Sequence, residues 1–251
     1  MRSLWLVLAL LVATFAACGD GDDGSAVAGS DPASPEGETL GVDCGGSVFD
    51  FERLIDAPSI ETLAEGPAGA VDDAGAPAFD PTQDWKVVEQ SDERVDLVRE
   101  LEERIDNGGG DVRTHESRTL AKISGATNVP DGTWLLMQAG PCAPRLVTDT
   151  DLAPADLTLP AEPAAAATSI DLLVHERACA SGRSAEGRIE IVELEETDDQ
   201  VRLRIGVRPR EGGQDCQGNP PTPFTIELGE PLGAREIVDA SIVPPRAVAT
   251  E

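Results

Sequence analysis

The stretch Val201-Arg202-Leu203-Arg204-Ile205-Gly206-Val207 alternates apolar and polar residues without a break. Val201, Leu203, Ile205 and Val207 fall on one side of an extended chain, with Arg202, Arg204 and Gly206 on the other. That period of two marks a half-buried strand, because successive side chains of a strand point to opposite faces. The pattern recurs on both sides. Residues 169–174 (SIDLLV) and 188–194 (RIEIVEL) read as strands, and the polar run 195–200 (EETDDQ) turns the second into 201–207. Residues 224–228 (FTIEL) alternate as well, and 236–238 form a further short strand. Short strands closely spaced, with no helical period, predict an Ig-like antiparallel β-sandwich over 169–251. Residues 216–223 (CQGNPPTP) cannot form a central strand, since proline donates no ladder hydrogen bond. They read as a loop.

Upstream, residues 41–152 predict a small α+β module, so the fold class is mainly β. Ser59 is placed to cap a short helix through Ala64, stopped by Gly66-Pro67. Residues 85–88 (WKVV) read as strand. Pro130-Asp131-Gly132 is a turn, because proline presets φ and glycine accepts a positive one. It leads into a strand at 134–138 (WLLMQ), running toward Cys142. Residues 91–106 support two readings. Ser91 as N-cap, apolar Val95, Val98, Leu101 and Ile105, and a Glu100–Arg104 pair fit an amphipathic helix. Alternatively, Ser91-Asp92-Glu93-Arg94 is a hairpin turn between extended segments. Asn107-Gly108-Gly109-Gly110 ends either element. The Ala/Pro-rich run 153–168 (APADLTLPAEPAAAAT) reads as a linker between the two modules.

The N-terminus carries an address. Arg2 precedes an apolar run, and small Ala16-Ala17 stand before Cys18, the layout of a signal peptide over 1–17. The run is shorter than the ~20 residues that span a bilayer as a helix. Phe15-Ala16-Ala17-Cys18 resembles the bacterial lipobox, in which the cysteine becomes the lipid-bearing first residue of the mature protein. That resemblance implies palmitate-type acylation of Cys18 and a protein held on the extracytoplasmic face of the cell membrane. More than one acyl chain makes such anchoring stable. Residues 18–40 are acidic and rich in Gly, Ser and Pro. They read as a disordered tether, since they carry too little apolar area to offset ordering entropy. Asp20, Asp22 and Asp23 within it lack the fixed geometry that a Ca²⁺ site needs.

Cys44, Cys142, Cys179 and Cys216 remain. Four cysteines in an exported chain default to two disulfides. With the linker dividing them, the expected pairs are Cys44–Cys142 and Cys179–Cys216. Zinc is disfavoured: His175 and Cys179 stand four apart, but no CxxC accompanies them.

Residues Cys179, Gly182 and Arg183, then Cys216-Gln217-Gly218-Asn219-Pro220-Pro221, then Pro231-Leu232-Gly233 and Arg235 carry a further resemblance. They are similar to a C-terminal module of actinobacterial exported lipoproteins of unknown function. In such proteins the preceding region tends to carry a Trp-started hairpin and a late GxC, here Trp85, Trp134 and Gly140-Pro141-Cys142. This favours the hairpin over the helix after residue 85. It brings no activity with it. Arg183 and Arg235 stand out as loop anchors to a carboxylate, or else as anion contacts.

Composition excludes several classes. A formal charge of −28 repels phosphate backbones, so nucleic acid is not an expected partner. The chain has no Tyr and few other aromatics, which argues against a stacking platform. GxSxG and Walker A are absent. His115-Glu116-Ser117-Arg118-Thr119 begins like HExxH but ends in Thr, which removes a zinc ligand. Asp149 and Asp151 offer at most two of the oxygen ligands Ca²⁺ takes. The expectation is a non-enzymatic, lipid-anchored interaction or cell-envelope accessory protein without cofactor, in contact with the membrane through Cys18 and with an unidentified protein partner. The alternative is a solute- or metal-binding lipoprotein with its site between the two modules.

Overall fold

The computed structural model describes residues 41–125, 129–147 and 151–251. The expected signal peptide 1–17, the tether 18–40 with Cys18, and Asp149 lie outside the described residues. Two lobes follow each other along the chain and belong to one compact unit, Gly37–Glu251. The fold is mainly β, with a small α+β part at its N-terminal side.

The first lobe contains β1 (Gly41–Cys44), β2 (Ser47–Asp50), α1 (Phe51–Asp56), α2 (Glu65–Ala68), β3 (Lys86–Gln90), β4 (Arg94–Asp106), β5 (Val112–Ile123), β6 (Thr133–Cys142) and β7 (Arg145–Leu146). Strands β3 to β6 form an antiparallel meander, and β2-β1-β7 form a second small sheet. Residues 91–106 are hairpin and strand. The Ser91 hydroxyl accepts the Arg94 amide at 3.0 Å, closing the turn, and Lys86 to Gln90 pair with Val98 to Val95. The helical periodicity misleads here because the start of β4 is covered on both faces. Val95 and Leu97 join Val87 and Trp85 in one core cluster. Val98 joins Val88, Phe49 and the Cys44–Cys142 pair in another. Apolar residues on both faces break the period of two that a one-sided sheet would show.

The helix expected from Ser59 to Ala64 is instead a single 3₁₀ turn, Ile60–Thr62, and the Ser59 side chain makes no cap bond. Gly66-Pro67, expected as a stop, lies within α2. Proline is tolerated in a first helical turn because its missing N–H would have no partner there.

The second lobe contains β8 (Ala153–Leu159), β9 (Ser169–Glu176), β10 (Ile189–Glu196), β11 (Gln200–Val207), β12 (Thr222–Glu227), β13 (Glu236–Asp239), β14 (Arg246–Ala247) and β15 (Ala249–Thr250). Strands β12-β9-β8 continue through β11 into β13-β14, with β10 on β11 and β15 on β8. Val201, Leu203, Ile205 and Val207 of β11 meet Leu157, Ile170, Leu172, Val174 and Ile226 in one aliphatic core. Burying each such side chain contributes roughly 1.5–3 kcal/mol. This is the expected small sandwich, except that β11–β13 and β15–β8 run parallel. Pro223 sits in β12, an outer strand of the order, where a missing donor costs no interior ladder bond.

The linker expected at 153–168 is not one. Its first seven residues are β8, which pairs with β9, β11 and β15. Ala155, Leu157 and Leu159 face the sandwich core. Asp156 and Thr158 are buried too. Residues 160–168 are the loop that turns β8 back into β9. Composition alone read Ala and Pro as a break; Pro154 is accommodated near the start of the strand.

Both disulfides are present, Cys44–Cys142 with Cα atoms 5.3 Å apart and Cys179–Cys216 at 4.6 Å. The second holds the 216–221 loop beside the end of β9, where Asn219 Nδ2 donates to the carbonyls of Glu176 (3.1 Å) and Ala178 (2.7 Å).

Candidate functional site

The lobes are joined by a long arm. β4 and β5 extend beyond the first lobe's core, and their connecting Gly108-Gly109-Gly110 reaches the second lobe. A Cβ on Gly110 would stand 2.7 Å from the Leu157 carbonyl oxygen, and the residue has φ +81, so glycine is required there. Arg246 of β14 donates to the carbonyls of Gly110 (2.8 Å) and Val112 (3.1 Å), clamping the arm from the other side. The Leu146 amide bonds the Ser241 carbonyl at 2.8 Å, a second tie between the lobes.

Where arm and lobes meet, charged side chains converge. Arg113 grips Asp111 through Nη2 (2.8 Å) and Nε (3.1 Å), and its Nη1 donates to the Pro141 carbonyl at 3.2 Å. Arg177, just past β9, places one nitrogen between Asp156 Oδ2 (2.8 Å) and Asp111 Oδ1 (3.3 Å). Arg145 pairs with Asp156 on β8 and donates to the Ala155 carbonyl at 3.1 Å. Burial alone would raise the Asp111 carboxyl. Hydrogen bonds from Arg113 and Asn107, with the nearby charges of Arg177 and Arg113, bring it down to about 2. Deeper in, burial pushes the Asp239 carboxyl up against the lowering effect of its Ser241 bonds.

Three guanidiniums therefore share two aspartates. They line a cavity of about 530 Å³ with Asp43, Gln138 and the Gly45–Gly46 turn, next to the Cys44–Cys142 bridge. Asp43 is already occupied, because its Oδ1 accepts the Gly46 amide at 2.7 Å. Among the described residues, Arg177 Nε and Nη2 have no acceptor, and Arg145 Nε is buried without one. The chemistry offered is a set of spare N–H donors on guanidiniums whose charges are balanced by Asp111, Asp156 and Asp43, which suits the oxygens of an anion.

No family model matches the chain, and no curated protein or solved structure is significantly similar to it.

Sequence reasoning placed neither Arg113, Arg145 nor Arg177 in a site. They lie on three separate segments, and only the arm and the β8 strand bring them together. The two arginines it did single out behave differently from each other. Arg235 holds its loop: Nη1 bonds Glu196 Oε2 at 2.7 Å, and the other nitrogens reach the carbonyls of Glu230, Pro231 and Leu232, each at 3.0 Å. Arg183 is exposed and reaches no carboxylate among the described residues, so the loop-anchor role expected of it fails. The loop is held by the disulfide and by Ser181.

The histidines do not form a catalytic relay. His175 Nε2 meets both Thr158 Oγ1 (3.0 Å) and Glu251 Oε1 (3.4 Å). A relay needs the nucleophile and the acid on opposite ring nitrogens. His115 Nδ1 contacts only the hydroxyl of its neighbour Thr114, at 2.9 Å, and burial lowers its pKa. Glu116 beside it is in β5, not on a helix, so the HE pair does not present a zincin face. The four described cysteines are all in disulfides. Among the described residues no group of three or more His, Cys, Asp or Glu is arranged to hold a metal ion, and no helix is long and apolar enough to cross a membrane.

Proposed function

We propose that this chain is a lipid-anchored extracytoplasmic binding protein, without catalytic activity, whose cleft between the lobes takes a small organic anion. Cys18 carries the anchor and residues 18–40 the tether. The observation that carries the reading is the convergence of Arg113, Arg145 and Arg177 on a cavity of about 530 Å³, a size in the range of small-molecule sites. The alternative reading of the sequence, a site between the lobes, is thus favoured over a purely structural accessory module, and an anion over a metal ion.

The test is thermal unfolding of the full chain against a panel of small carboxylates and phosphate monoesters. A ligand at 100 times its Kd stabilises by about 2.7 kcal/mol. Saturable stabilisation that disappears in Arg177→Gln supports the reading. A panel with no stabiliser, or stabilisation untouched by Arg177→Gln, defeats it. The anchor is tested separately: Cys18→Ala must release the protein from membranes.

A second reading rests on the surface of α1. None of its residues is buried, and Phe51 and Ile55 are exposed together with Val48 of the adjoining β2. Clustered exposed apolar side chains suit a protein contact, consistent with an interaction module in the cell envelope.

A further inference from the structure

Away from the cleft, the second lobe carries another group of arginines. Most arginines of this acidic chain hold a carboxylate. Among the described residues the exceptions are Arg53, Arg104, Arg183, Arg210 and Arg246, and Arg246 is held by two carbonyls. Arg183 and Arg210 line one open depression of about 450 Å³, together with Arg188, Ser181, Gln214 and Glu211. Arg188 is neutralised by a bidentate pair with Glu176, at 2.6 and 2.5 Å. Arg183 makes no side-chain hydrogen bond among the described residues, and Arg210 makes one long one, 3.4 Å to the Ser184 carbonyl. The Nε atoms of Arg188 and Arg210 are buried without an acceptor. With acids outnumbering bases 47 to 19, two guanidiniums that pair with no carboxylate are conspicuous, Glu211 lining the same depression without bonding either of them.

The floor of the depression is rigid. Cys179–Cys216 ties its two loops together. Ser181 laces them: its amide bonds the Asp215 carbonyl and its hydroxyl accepts the Asp215 amide, both at 3.0 Å, while the same hydroxyl donates to Gln214 Oε1 at 3.0 Å. Ser181 has φ +53, the sole positive value for a non-glycine among the described residues. A backbone held in that region stores strain, which structures retain where it positions something. Two guanidiniums on a disulfide-pinned frame match a doubly charged oxyanion better than a single carboxylate, and the open mouth leaves room for a group still attached to a larger molecule.

We infer that the depression around Arg183 and Arg210 is a second anion site, which takes a phosphate group. It does not rest on the cleft reading, because no residue is shared between the two sites. The experiment is calorimetric titration of the full chain with inorganic phosphate at low ionic strength. Arg183→Gln with Arg210→Gln weakens binding about tenfold or more, the loss expected for charge-assisted contacts, while Arg104→Gln, at an exposed arginine outside both sites, leaves it unchanged. If the double variant unfolds more readily than the parent, Arg183→Gln alone carries the test, since that side chain is exposed. Phosphate binding equal to the parent's, binding lost in Arg177→Gln instead, or no saturable heat overturns the inference. Vesicles then separate the sources, with the full chain carrying Cys18→Ala. Binding to phosphatidylglycerol but not phosphatidylcholine vesicles, lost with Arg183→Gln, assigns a lipid phosphate. Phosphate binding without vesicle binding assigns a free phosphate compound.

Discussion

The two lobes solve the same problem in different ways. The second packs one aliphatic core between the inner faces of its strands, from Leu157 and Ile170 to Leu203 and Ile226. The first divides its apolar side chains between two smaller clusters on opposite faces of β3 and β4. One surrounds Trp85, whose indole lies 5.3 Å from the Arg99 guanidinium and 5.6 Å from that of Arg118. The other is built around Cys44–Cys142 and borrows Val243 from the late chain. The second core contains no cysteine, whereas one of the first lobe's two clusters includes its disulfide. The first depends on its disulfide and on its neighbour.

Four variants would break or sharpen that contrast. Removing Cys44–Cys142, which closes a separation of 98 residues, is expected to cost about 5 kcal/mol on loop entropy. Removing Cys179–Cys216, with a separation of 37, is expected to cost about 4 kcal/mol on the same basis. Urea unfolding of the paired Cys→Ser variants measures both, and a larger loss for the second pair would reverse the asymmetry. Next in size, Asp156→Ala strips a buried partner from Arg145 and Arg177. About 3–5 kcal/mol is expected for an uncompensated buried charge, with the unfolding transition broadening as the lobes uncouple. The smallest effect is in acid. Asp111 is held at about 2, below the ~3.9 of an unfolded Asp. Its contribution is complete above about pH 4 and is lost as pH falls through about 2. Tm of the parent and of Asp111→Asn should differ by a constant amount above pH 4 and converge near pH 2.

The same contrast explains what the sequence disclosed. The β11 stretch 201–207 declared itself because its buried apolar residues alternate with partly exposed arginines. The strands around it followed, and so did both disulfides. β4 did not, since Val95, Asp96, Leu97 and Val98 are all buried and a doubly covered strand has no period of two. β8 was hidden by composition: Ala and Pro suggested a break, although Ala155, Leu157 and Leu159 alternate inward. Asp156 on that strand is the residue that gathers the arginines of the cleft. A reading that makes 153–168 a linker can put a site between the modules but cannot name the residues that build it. Arg113 and Arg177 carried no local signal at all, because their meeting depends on an arm that leaves its own lobe.

On this account the arm, β8 and the shared Arg–Asp cluster make the two lobes one cooperative unit. Scanning calorimetry of the full chain at neutral pH tests it most directly. One transition, with calorimetric and van't Hoff enthalpies equal, is the predicted result. Two resolved transitions in the unmodified protein, one lost on reduction of Cys44–Cys142 and the other unaffected, would contradict it.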